Sequence, residues 1–464
     1  MMEQEAQPFN NDIIRTEKPG GGEKTTTAGG GGGARRPRRS RAKGLGLRSS
    51  TSSGAQLPTV GVSPTPAVVA KEGVVSSNFR EQDAAYFHAY SHLGVHEEMI
   101  KDRARTDAYR DAICFHADAI RDKVVVDVGC GTGILSIFCA FAGARKVYAV
   151  EASSISVQAK EVVKANSLSD IITVVHGRVE EVEIEEEEGV DVIVSEWMGY
   201  ALLYESMFSS VINARDRWLK PGGLMLPSYA TLYMAPITNS PKYAQSIDFW
   251  RNVYGIDMSA MLPLAKQISF EEPCIETIMA ENVLSWPIVI KHIDCNKVTM
   301  RELETVYSEF CVSSMMKASL HGFALWFDVS FGPRSSAAMA AATTNNPIKE
   351  TATADMQSDS SSMDSSTTLS GGGGDEARGF KVSIRQKEKN PRDECIILST
   401  APEDPPTHWA QTILYVYDPI EVEQDQLISG SIALSKSREN PRFLNIHLEY
   451  TSGNRHCVKE SVMQ

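Results

Sequence analysis

The stretch DKVVVDVGCGTGILSIFCAFAGARKVYAVEASS, residues 122–154, decides the fold. An apolar run, three closely spaced glycines, a helix-forming segment and a second apolar run predict a strand, a tight turn, a helix and another strand. Two more apolar runs, residues 171–175 and 190–194, follow at the spacing of alternating helices and strands. Strands that are apolar throughout are buried on both faces, so we expect an α/β domain whose parallel sheet is covered by helices.

The glycine-rich turn predicts a ligand pocket. Gly129, Gly131 and Gly133 come directly after the first strand, where the lack of a side chain lets the backbone approach a bound molecule. Glu151 ends the next strand about 20 residues further on, where a carboxylate can accept both hydroxyls of a ribose. The combination favours a nucleoside-containing cofactor over a purely structural turn.

Neighbouring positions narrow the choice of cofactor. A dinucleotide-binding turn carries its third glycine three residues after the second, and this chain has Ile134 there. Asp127, two residues before the first glycine, is more typical of an S-adenosylmethionine pocket. Glu180, which follows a later strand, is a candidate acceptor for the exocyclic amine of an adenine. We therefore expect S-adenosyl-L-methionine as the cofactor and S-adenosyl-L-homocysteine as its product.

The segment SEWMGYALLYE, residues 195–205, holds two glutamates around an aromatic-rich run. Glu196 comes at the carboxyl end of a strand, the edge where such sheets bind ligands, and Glu205 returns after a short loop. Two carboxylates at one point repel each other unless a cation lies between them. A glycosidase could use such a pair, but nothing in the chain indicates a carbohydrate groove. Beside a sulfonium cofactor, the pair is better interpreted as a clamp that holds an arginine guanidinium.

The second half of the chain alternates with a period of two. Segments 321–331, 379–384 and 440–450 place apolar residues at every second position, which predicts an antiparallel sheet or barrel. Between the first two lies a low-complexity run, residues 334–378, which we expect to be a disordered insertion. We place the α/β domain, with its N-terminal helices, at residues 79–227 and the antiparallel domain at 228–464.

The composition of the chain disfavours several classes of protein. The chain has 464 residues, a formal net charge of −13 and eight cysteines. The acidic balance disfavours direct nucleic-acid binding, and cysteines without a CxxC pair favour a reducing intracellular compartment. The longest apolar run is too short for a membrane helix, and the acidic, polar first residues disfavour a leader peptide. We expect no membrane partner.

Residues 1–78 are rich in small and polar residues, so we expect a disordered tail. A basic cluster from Arg35 to Arg48 lies inside it. Four interpretations remain open for this cluster: a nuclear-import signal, a nucleic-acid contact, a segment that is itself modified, or a solvated tail.

The first ordered region carries helical spacing from about residue 81 to residue 114, with an interruption expected at Gly94. His88, His92 and His96 recur here every four residues, as metal ligands can. Gly94 separates two of them and no carboxylate pattern accompanies them, so we expect no metal site.

Four motifs together resemble one family. The glycine-rich stretch, SEWMGYALLYESM (195–207), LKPGGLMLP (219–227) and PPTHWAQT (405–412) are similar to the successive motifs of the type I protein arginine N-methyltransferases. The resemblance begins at about residue 79, runs to the end and is interrupted by the insertion. It implies a Rossmann-like S-adenosylmethionine-dependent methyltransferase domain followed by an antiparallel β-barrel domain with a helical dimerisation arm at about residues 240–262.

The resemblance also implies an activity. The chain would transfer methyl groups from S-adenosylmethionine to arginine nitrogens of histones and arginine-glycine-rich proteins, forming monomethylarginine and asymmetric dimethylarginine. It would act as a homodimer in nucleus and cytoplasm. Two alternatives stay open: a small-molecule methyltransferase on the same fold, and a non-catalytic scaffold that binds arginine-rich tails.

Roles carry over at matching positions. Glu196 and Glu205 would hold the arginine, and either Glu205 or His408 would handle the departing proton. Arg105 would pair with the carboxylate of the cofactor. Met99 and Met207 would shape the pocket for the asymmetric product, so that a bulkier residue at Met99 favours the symmetric one. The remaining cofactor-binding positions are His96, Asp127, Gly129, Gly131, Gly133, Glu151, Glu180 and Tyr90, and the remaining substrate-binding positions are Tyr86, Phe87 and Trp409.

Overall fold

A computed structural model describes residues 83–332 and 395–464 of the chain. The predicted tail at 1–78, the insertion at 334–378 and the strand at 379–384 lie outside these described residues. Helices form the first part: α1 at 83–89, α2 at Leu93–Lys101, α3 at Arg103–Phe115 and α4 at Ala117–Ile120. The interruption expected at Gly94 is wrong, because Gly94 lies in the first turn of α2 and the helices break before Leu93 and at Asp102.

A parallel sheet follows, as the apolar runs predict, with the four predicted strands and a fifth. Its strands are β1 (Val124–Val128), β2 (Lys146–Glu151), β3 (Ile172–His176), β4 (Val190–Val194) and β5 (Leu219–Leu226), in the order β3-β2-β1-β4-β5. The helices α5 (Ile134–Phe141), α6 (Ser156–Ala165) and α7 (Phe208–Trp218) connect them. Every residue of β1 is buried, which confirms the expectation of a sheet covered on both faces.

The fifth strand was not expected. The residues LKPGGLMLP predict a turn because proline and two glycines interrupt them, but residues 219–226 form β5. The strand lies at the edge of the sheet, where a proline costs no ladder hydrogen bond, and its pairing with β4 shifts register between Val190 and Val192. An edge position with an irregular ladder thus accommodates residues that a central strand would exclude.

Two antiparallel sheets make up the second half, as the period-two pattern predicts. One has the order β7-β12-β10-β6-β8, with β11 also paired to β10, and the other has the order β15-β14-β13-β9. The strands are β6 (Tyr229–Ile237), β7 (Cys274–Glu276), β8 (Ile288–Asp294), β9 (Thr305–Ser313), β10 (Ala318–Phe331), β11 (Ile396–Ser399), β12 (Gln411–Val422), β13 (Leu427–Lys436), β14 (Leu444–Ser452) and β15 (Arg455–Met463). Short 3₁₀ helices occupy Ala280–Asn282 and Met300–Leu303.

The long strand β10 is buried on both faces. Its ring at Phe323 packs edge-on against Phe310 and Tyr450 of the four-stranded sheet, with centroids 5.7 and 5.2 Å apart, so the two sheets share a core. On the opposite face, Ala324 and Trp326 belong to a second, smaller apolar cluster. One alternating face therefore holds the two sheets together, while the other packs under the segment that follows β6.

That segment, predicted as a dimerisation arm at about 240–262, contains α8 (Ser240–Ser246), 3₁₀ helices at Asp248–Arg251 and Ser259–Met261, and α9 (Leu262–Phe270). Trp250 packs against the second cluster, whereas Phe249 is 51% exposed and Tyr254 is 99% exposed. Within the described ranges, none of the helices has the length and apolar character needed to cross a membrane.

Candidate active site

A cavity of about 350 Å³ lies at the carboxyl ends of β1, β2 and β4. The sheet order reverses between β1 and β4, and open α/β sheets bind their ligands at such a point. The helices α1 and α2 and the loop before β12 supply the remaining walls. All residues predicted for the site line this cavity except Asp127 and Gly133.

The glycine turn forms the floor. Gly129, Gly131 and Gly133 have φ angles of 71°, 53° and 86°, a left-handed region that L side chains rarely adopt. A Cβ on Gly131 would lie 3.0 Å from the ring of His96, so the absent side chain keeps a crowded turn open. The Gly131 amide donates to Glu151 Oε2 at 2.9 Å and the Ser153 amide donates to Oε1 at 2.7 Å. The carboxylate predicted to bind ribose is therefore fixed before any ligand arrives.

Asp127 and Gly133 support this turn without lining the cavity. Gly133 begins helix α5, and Asp127 is fully buried beneath, where its Oδ2 accepts a hydrogen bond from Ser136 at 2.6 Å. Burial raises the pKa of Asp127 to about 7. Asp127, which the sequence predicts as a cofactor-binding residue, thus connects β1 to helix α5 beneath the turn.

Glu196 is fixed from the sheet side. Arg105 of α3 donates to its Oε2 through Nε at 3.0 Å and Nη2 at 2.9 Å, and the Met198 amide donates to Oε1 at 3.2 Å. The side chains of Arg105 and Glu196 are only 6% and 8% exposed. A buried charge needs such a partner, and the ion pair holds the Glu196 carboxylate in one orientation.

Glu205 is fixed by other means. Its backbone has a φ of 68°, and that of Ser206 has a φ of 57°, both in the left-handed region. The Tyr90 hydroxyl, at the end of α1, donates to Glu205 Oε2 at 2.7 Å. Burial, with the charge of Glu196 as a further cause, raises the pKa of Glu205 above the ordinary value for a glutamate. A bound cation would reverse this effect.

The residues between the two glutamates form a packed turn. Trp197 stacks on Phe208 with ring centroids 3.9 Å apart, and Leu202 is fully buried. A Cβ on Gly199 would approach the Tyr204 carbonyl oxygen to 2.1 Å, so only glycine fits there. The turn therefore sets the positions from which Glu196 and Glu205 enter the cavity.

His408 is anchored by an acid that sequence reasoning missed. Its Nδ1 lies 2.7 Å from Asp102 Oδ2, which also accepts its backbone N–H at 2.9 Å. Burial alone would raise the pKa of Asp102, but hydrogen bonds from His408 and from the Arg105 amide lower it below its usual value. An ionised Asp102 holds the His408 ring through Nδ1, which leaves the other ring nitrogen, Nε2, free of this bond. The position of Asp102 directly before the helical segment RARTDAY, where an aspartate can cap the helix, was the one sequence signal available.

The neighbouring Trp409 is 4% exposed and donates from Nε1 to the Met198 carbonyl at 2.9 Å. This bond ties the loop before β12 to the turn that carries Glu196. The Ala201 amide adds a second tie, to Thr412 Oγ1 at 3.1 Å. The antiparallel domain therefore forms a fixed wall of the cavity beside the two glutamates.

The α1 wall is aromatic. Tyr86 lies 5.2 Å from Phe87 and 4.8 Å from Tyr90 between ring centroids. His96, whose Nε2 lies 2.8 Å from the Tyr90 carbonyl oxygen, is buried below them, while His88 and His92 are exposed. The three histidines therefore do not share one environment.

The two methionines lie at different edges of the cavity. Met207 extends over the glycine turn, where a Cβ on Gly129 would meet its Cε at 2.3 Å. The Met99 carbonyl accepts from Arg105 Nη1 at 3.3 Å, which places Met99 beside the buried ion pair.

Glu180 lines the same cavity. Ser210 donates to its Oε1 at 2.7 Å, and Arg178 Nε is 3.6 Å from its Oε2. An acid here can accept an amine hydrogen bond, which fits the adenine end of the expected cofactor.

The chemistry of this donor set fits S-adenosylmethionine. Glu151 is fixed where it can accept a ribose, Glu180 can accept an adenine amine, and Arg105 lines the same cavity in its ion pair with Glu196. When bound, this cofactor supplies an electrophilic methyl on a positively charged sulfur. A parallel sheet with this turn and this cavity defines a methyltransferase that depends on S-adenosylmethionine.

Comparisons with known proteins define the family. Residues 115–228 match a profile described as ribosomal protein L11 methyltransferase (PrmA). Residues 228–352 and 356–455 match a profile described as the arginine methyltransferase oligomerization subdomain. The two profiles thus divide the chain between a methyltransferase half and a half typical of arginine methyltransferases.

Whole-chain relatives agree. The probable protein arginine N-methyltransferase 6 of Arabidopsis thaliana is 60% identical over 383 residues, covering 82% of each chain. The probable protein arginine N-methyltransferase 6.1 of Oryza sativa subsp. japonica is 53% identical over 420 residues, covering 90% of this chain and 97% of the relative. A solved Trypanosoma brucei PRMT1 enzyme-prozyme heterotetrameric complex with AdoHcy is 33% identical, with a TM-score of 0.63, and covers 81% of this chain and 100% of that one. The chain belongs to the protein arginine N-methyltransferase family, and its cofactor is S-adenosylmethionine.

Proposed function

We propose that this chain methylates arginine side chains of proteins and forms monomethylarginine and asymmetric dimethylarginine. The observation that carries the proposal is the pair of glutamates, Glu196 and Glu205, in the same cavity as the glycine turn. A small-molecule methyltransferase would need such a clamp only for a cationic substrate, and a non-catalytic scaffold would need no fixed ribose-binding carboxylate.

The clamp makes a poor nucleophile reactive. A guanidinium stays protonated throughout the physiological pH range because its pKa is very high, and its lone pairs are delocalised over three nitrogens. Carboxylates that contact two of these nitrogens draw positive charge toward themselves, which leaves electron density on the third. Holding that nitrogen in line with the methyl group supplies much of the remaining rate. The proton then passes to Glu205 or to His408.

The asymmetric product rests on the room left around the reacting nitrogen. Met99 and Met207 line the cavity at the two edges described above. Both side chains are unbranched and adaptable, so a nitrogen that already carries a methyl group can return to the reactive position. A bulkier side chain at Met99 would direct the second methyl group to the other terminal nitrogen.

A homodimer is the proposed assembly. The oligomerization profile covers the arm, and the exposed rings of Phe249 and Tyr254 are apolar surface that a partner would bury. Sedimentation should show a dimer for the wild type and a monomer for Phe249→Ala with Tyr254→Ala. Trp286→Ala, a 79% exposed control outside the arm, should leave the dimer intact.

The proposed substrates are histone tails and arginine-glycine-rich proteins, and the proposed compartments are nucleus and cytoplasm. The acidic net charge of −13 suits basic substrates because opposite charges steer their encounter. Fluorescence microscopy of the tagged chain, with and without residues 1–78, tests the compartments.

One experiment tests the reaction itself. The protein is incubated with labelled S-adenosylmethionine and with histone or arginine-glycine peptides, and the methylarginine isomers are separated by mass spectrometry. We expect monomethylarginine followed by asymmetric dimethylarginine, and a shift toward the symmetric isomer or toward monomethylarginine in Met99→Phe. Symmetric dimethylarginine from the wild type would contradict the asymmetric assignment, and label found only in small molecules would contradict the protein substrate.

A further inference from the structure

The turn between β13 and β14, residues 437–443, reaches from the antiparallel domain to the loop that carries Glu205. The Glu205 amide donates to the Arg442 carbonyl at 2.9 Å, and Arg442 Nη1 donates back to the Glu205 carbonyl at 2.9 Å. The Ser206 hydroxyl donates to the Pro441 carbonyl at 2.6 Å. These bonds hold Glu205 and Ser206, the two consecutive residues whose left-handed backbone is unfavourable for a side chain.

The guanidinium of Arg442 also contacts helix α1. Its central carbon lies 3.6 Å from the ring centroid of Tyr86 and 5.3 Å from that of Phe87. Its Nε and Nη2 donate to Asp83 Oδ1 at 3.0 and 2.7 Å. One side chain therefore binds the backbone of Glu205, the aromatic wall and an acid at the start of the described part of α1.

Asp83 continues this connection to the cofactor side. Its second oxygen, Oδ2, accepts a hydrogen bond from Arg178 Nη1. Arg178 in turn lies beside Glu180, the carboxylate that fits an adenine amine. Charged groups thus run in contact from Glu180 through Arg178 and Asp83 to Arg442, whose guanidinium in turn bonds the backbone carbonyl of Glu205.

The connection differs from an exposed ion pair. Exposed pairs contribute little because water screens them and the side chains lose entropy. Here the side chains of Arg442 and Asp83 are only 17% and 23% exposed, and Arg442 is held on one face by a ring and at one nitrogen by a carbonyl. Because the guanidinium is planar and is held by several groups at once, it can fix the positions of those groups relative to one another. A mobile charged side chain cannot do this.

We propose that Arg442 is a positioning residue that fixes Glu205 and helix α1 relative to each other through Asp83. Arg442 and Asp83 do not touch the reacting atoms. Their effect on methyl transfer comes from placing the Glu205 carboxylate and the aromatic wall together. This inference rests on the arginine methyltransferase reaction but not on which isomer is formed.

A double-mutant cycle tests it, with kcat and KM measured on an arginine-glycine peptide for Arg442→Ala, Asp83→Asn and the double variant. We expect kcat/KM to fall about 30-fold, about tenfold and about 30-fold, respectively, because Asp83 acts through Arg442. A double variant that falls by the product of the single effects, about 300-fold, would overturn the inference.

Arg442→Lys separates positioning from stability. Lysine keeps the charge but lacks the planar group that contacts ring, carboxylate and carbonyl at once. We expect it to restore the thermal midpoint of the wild type while kcat stays reduced by about tenfold. Restored kcat together with the restored midpoint would show a merely structural charge and would contradict the proposal.

Arg438→Ala is the matched control, since Arg438 is an exposed arginine of the same turn. Its kcat/KM should equal that of the wild type, and an equal loss at Arg438 and Arg442 would overturn the assignment. Binding of S-adenosylhomocysteine, measured by calorimetry, provides a second readout that does not depend on turnover. If the activity of Arg442→Ala falls only as much as the fraction of folded protein falls, the loss is one of stability and the proposed positioning role is contradicted.

Discussion

Glu196 and Glu205 come from one short loop, yet the protein holds them in different ways. Glu196 sits on ordinary backbone after β4 and is gripped by Arg105 and the Met198 amide, all within the methyltransferase half. Glu205 sits on left-handed backbone and depends on Tyr90 of the first helical segment and on Arg442 of the antiparallel domain. Glu196 is thus held by residues of the α/β half alone, whereas the position of Glu205 depends on three separate segments of the chain.

This difference teaches how the two domains share one site. The ribose-binding carboxylate of Glu151 and the first clamp carboxylate, Glu196, are both fixed by residues of the α/β half. The side that positions the substrate requires contacts across the whole chain. Substitutions at Glu196 that keep its shape should therefore act mainly on the chemical step, while those around Glu205 should act by displacing its carboxylate.

The largest effect is expected for Glu196→Gln. The amide keeps the shape but removes the charge that opposes the guanidinium, so kcat should fall by about 10³-fold. Affinity for S-adenosylmethionine, measured by calorimetry, should stay within about threefold of the wild type. A near-normal rate would refute the clamp.

Glu205→Gln should cost less, about 10²-fold in kcat/KM, because Glu196 still binds one edge of the guanidinium. Its signature is the pH profile. The pKa of Glu205 is raised in the free protein and only the ionised form clamps a cation, so kcat/KM of the wild type should rise with pH through this raised pKa. In the variant that rise should disappear. If kcat/KM of Glu205→Gln still rises with pH as in the wild type, a group other than Glu205 causes the rise.

Asp102→Asn probes the wall supplied by the antiparallel domain. An asparagine can still accept from the His408 amide, but it no longer fixes the protonated ring nitrogen with a charge, so kcat should fall by about tenfold. His408→Ala should give a similar loss, and the double variant should lose no more than either single one. Losses that multiply would show that the two residues act separately.

The smallest effect is expected for Tyr90→Phe. It removes one hydrogen bond to Glu205 Oε2 and leaves the ring in place, so kcat/KM should fall by about fivefold. The pH profile should shift further toward alkaline pH, because that hydrogen bond lowers the pKa of Glu205. A shift toward acid would contradict this role of Tyr90.

Local patterns predicted most of the site. The glycine turn follows β1, Glu151 ends β2, and Glu196 lies just after β4, with Glu205 at the end of the same loop. A short-range pattern of strand and turn is enough to bring these residues to one edge of a sheet. Asp127 was recognised for its position in the motif, but the structure places it beneath the turn and not on the cavity.

Long-range side-chain pairs were not predictable. Asp102 and His408 are 306 residues apart, and Asp83 and Arg442 are 359 residues apart. A single charged residue in a turn carries no periodic signal of its partner. The strand β5 was missed for the opposite reason, because its proline and glycines carry a strong local signal for a turn that its edge position overrides.

The most direct test of the clamp compares a cation with its neutral counterpart. Two peptides, one with arginine and one with citrulline at the same position, are titrated by calorimetry into protein saturated with S-adenosylhomocysteine. We expect the wild type to bind the arginine peptide about 100-fold more tightly, and the Glu196→Gln, Glu205→Gln double variant to lose that preference. Equal affinities in the wild type, or a preference that survives in the double variant, would contradict a carboxylate clamp for the guanidinium.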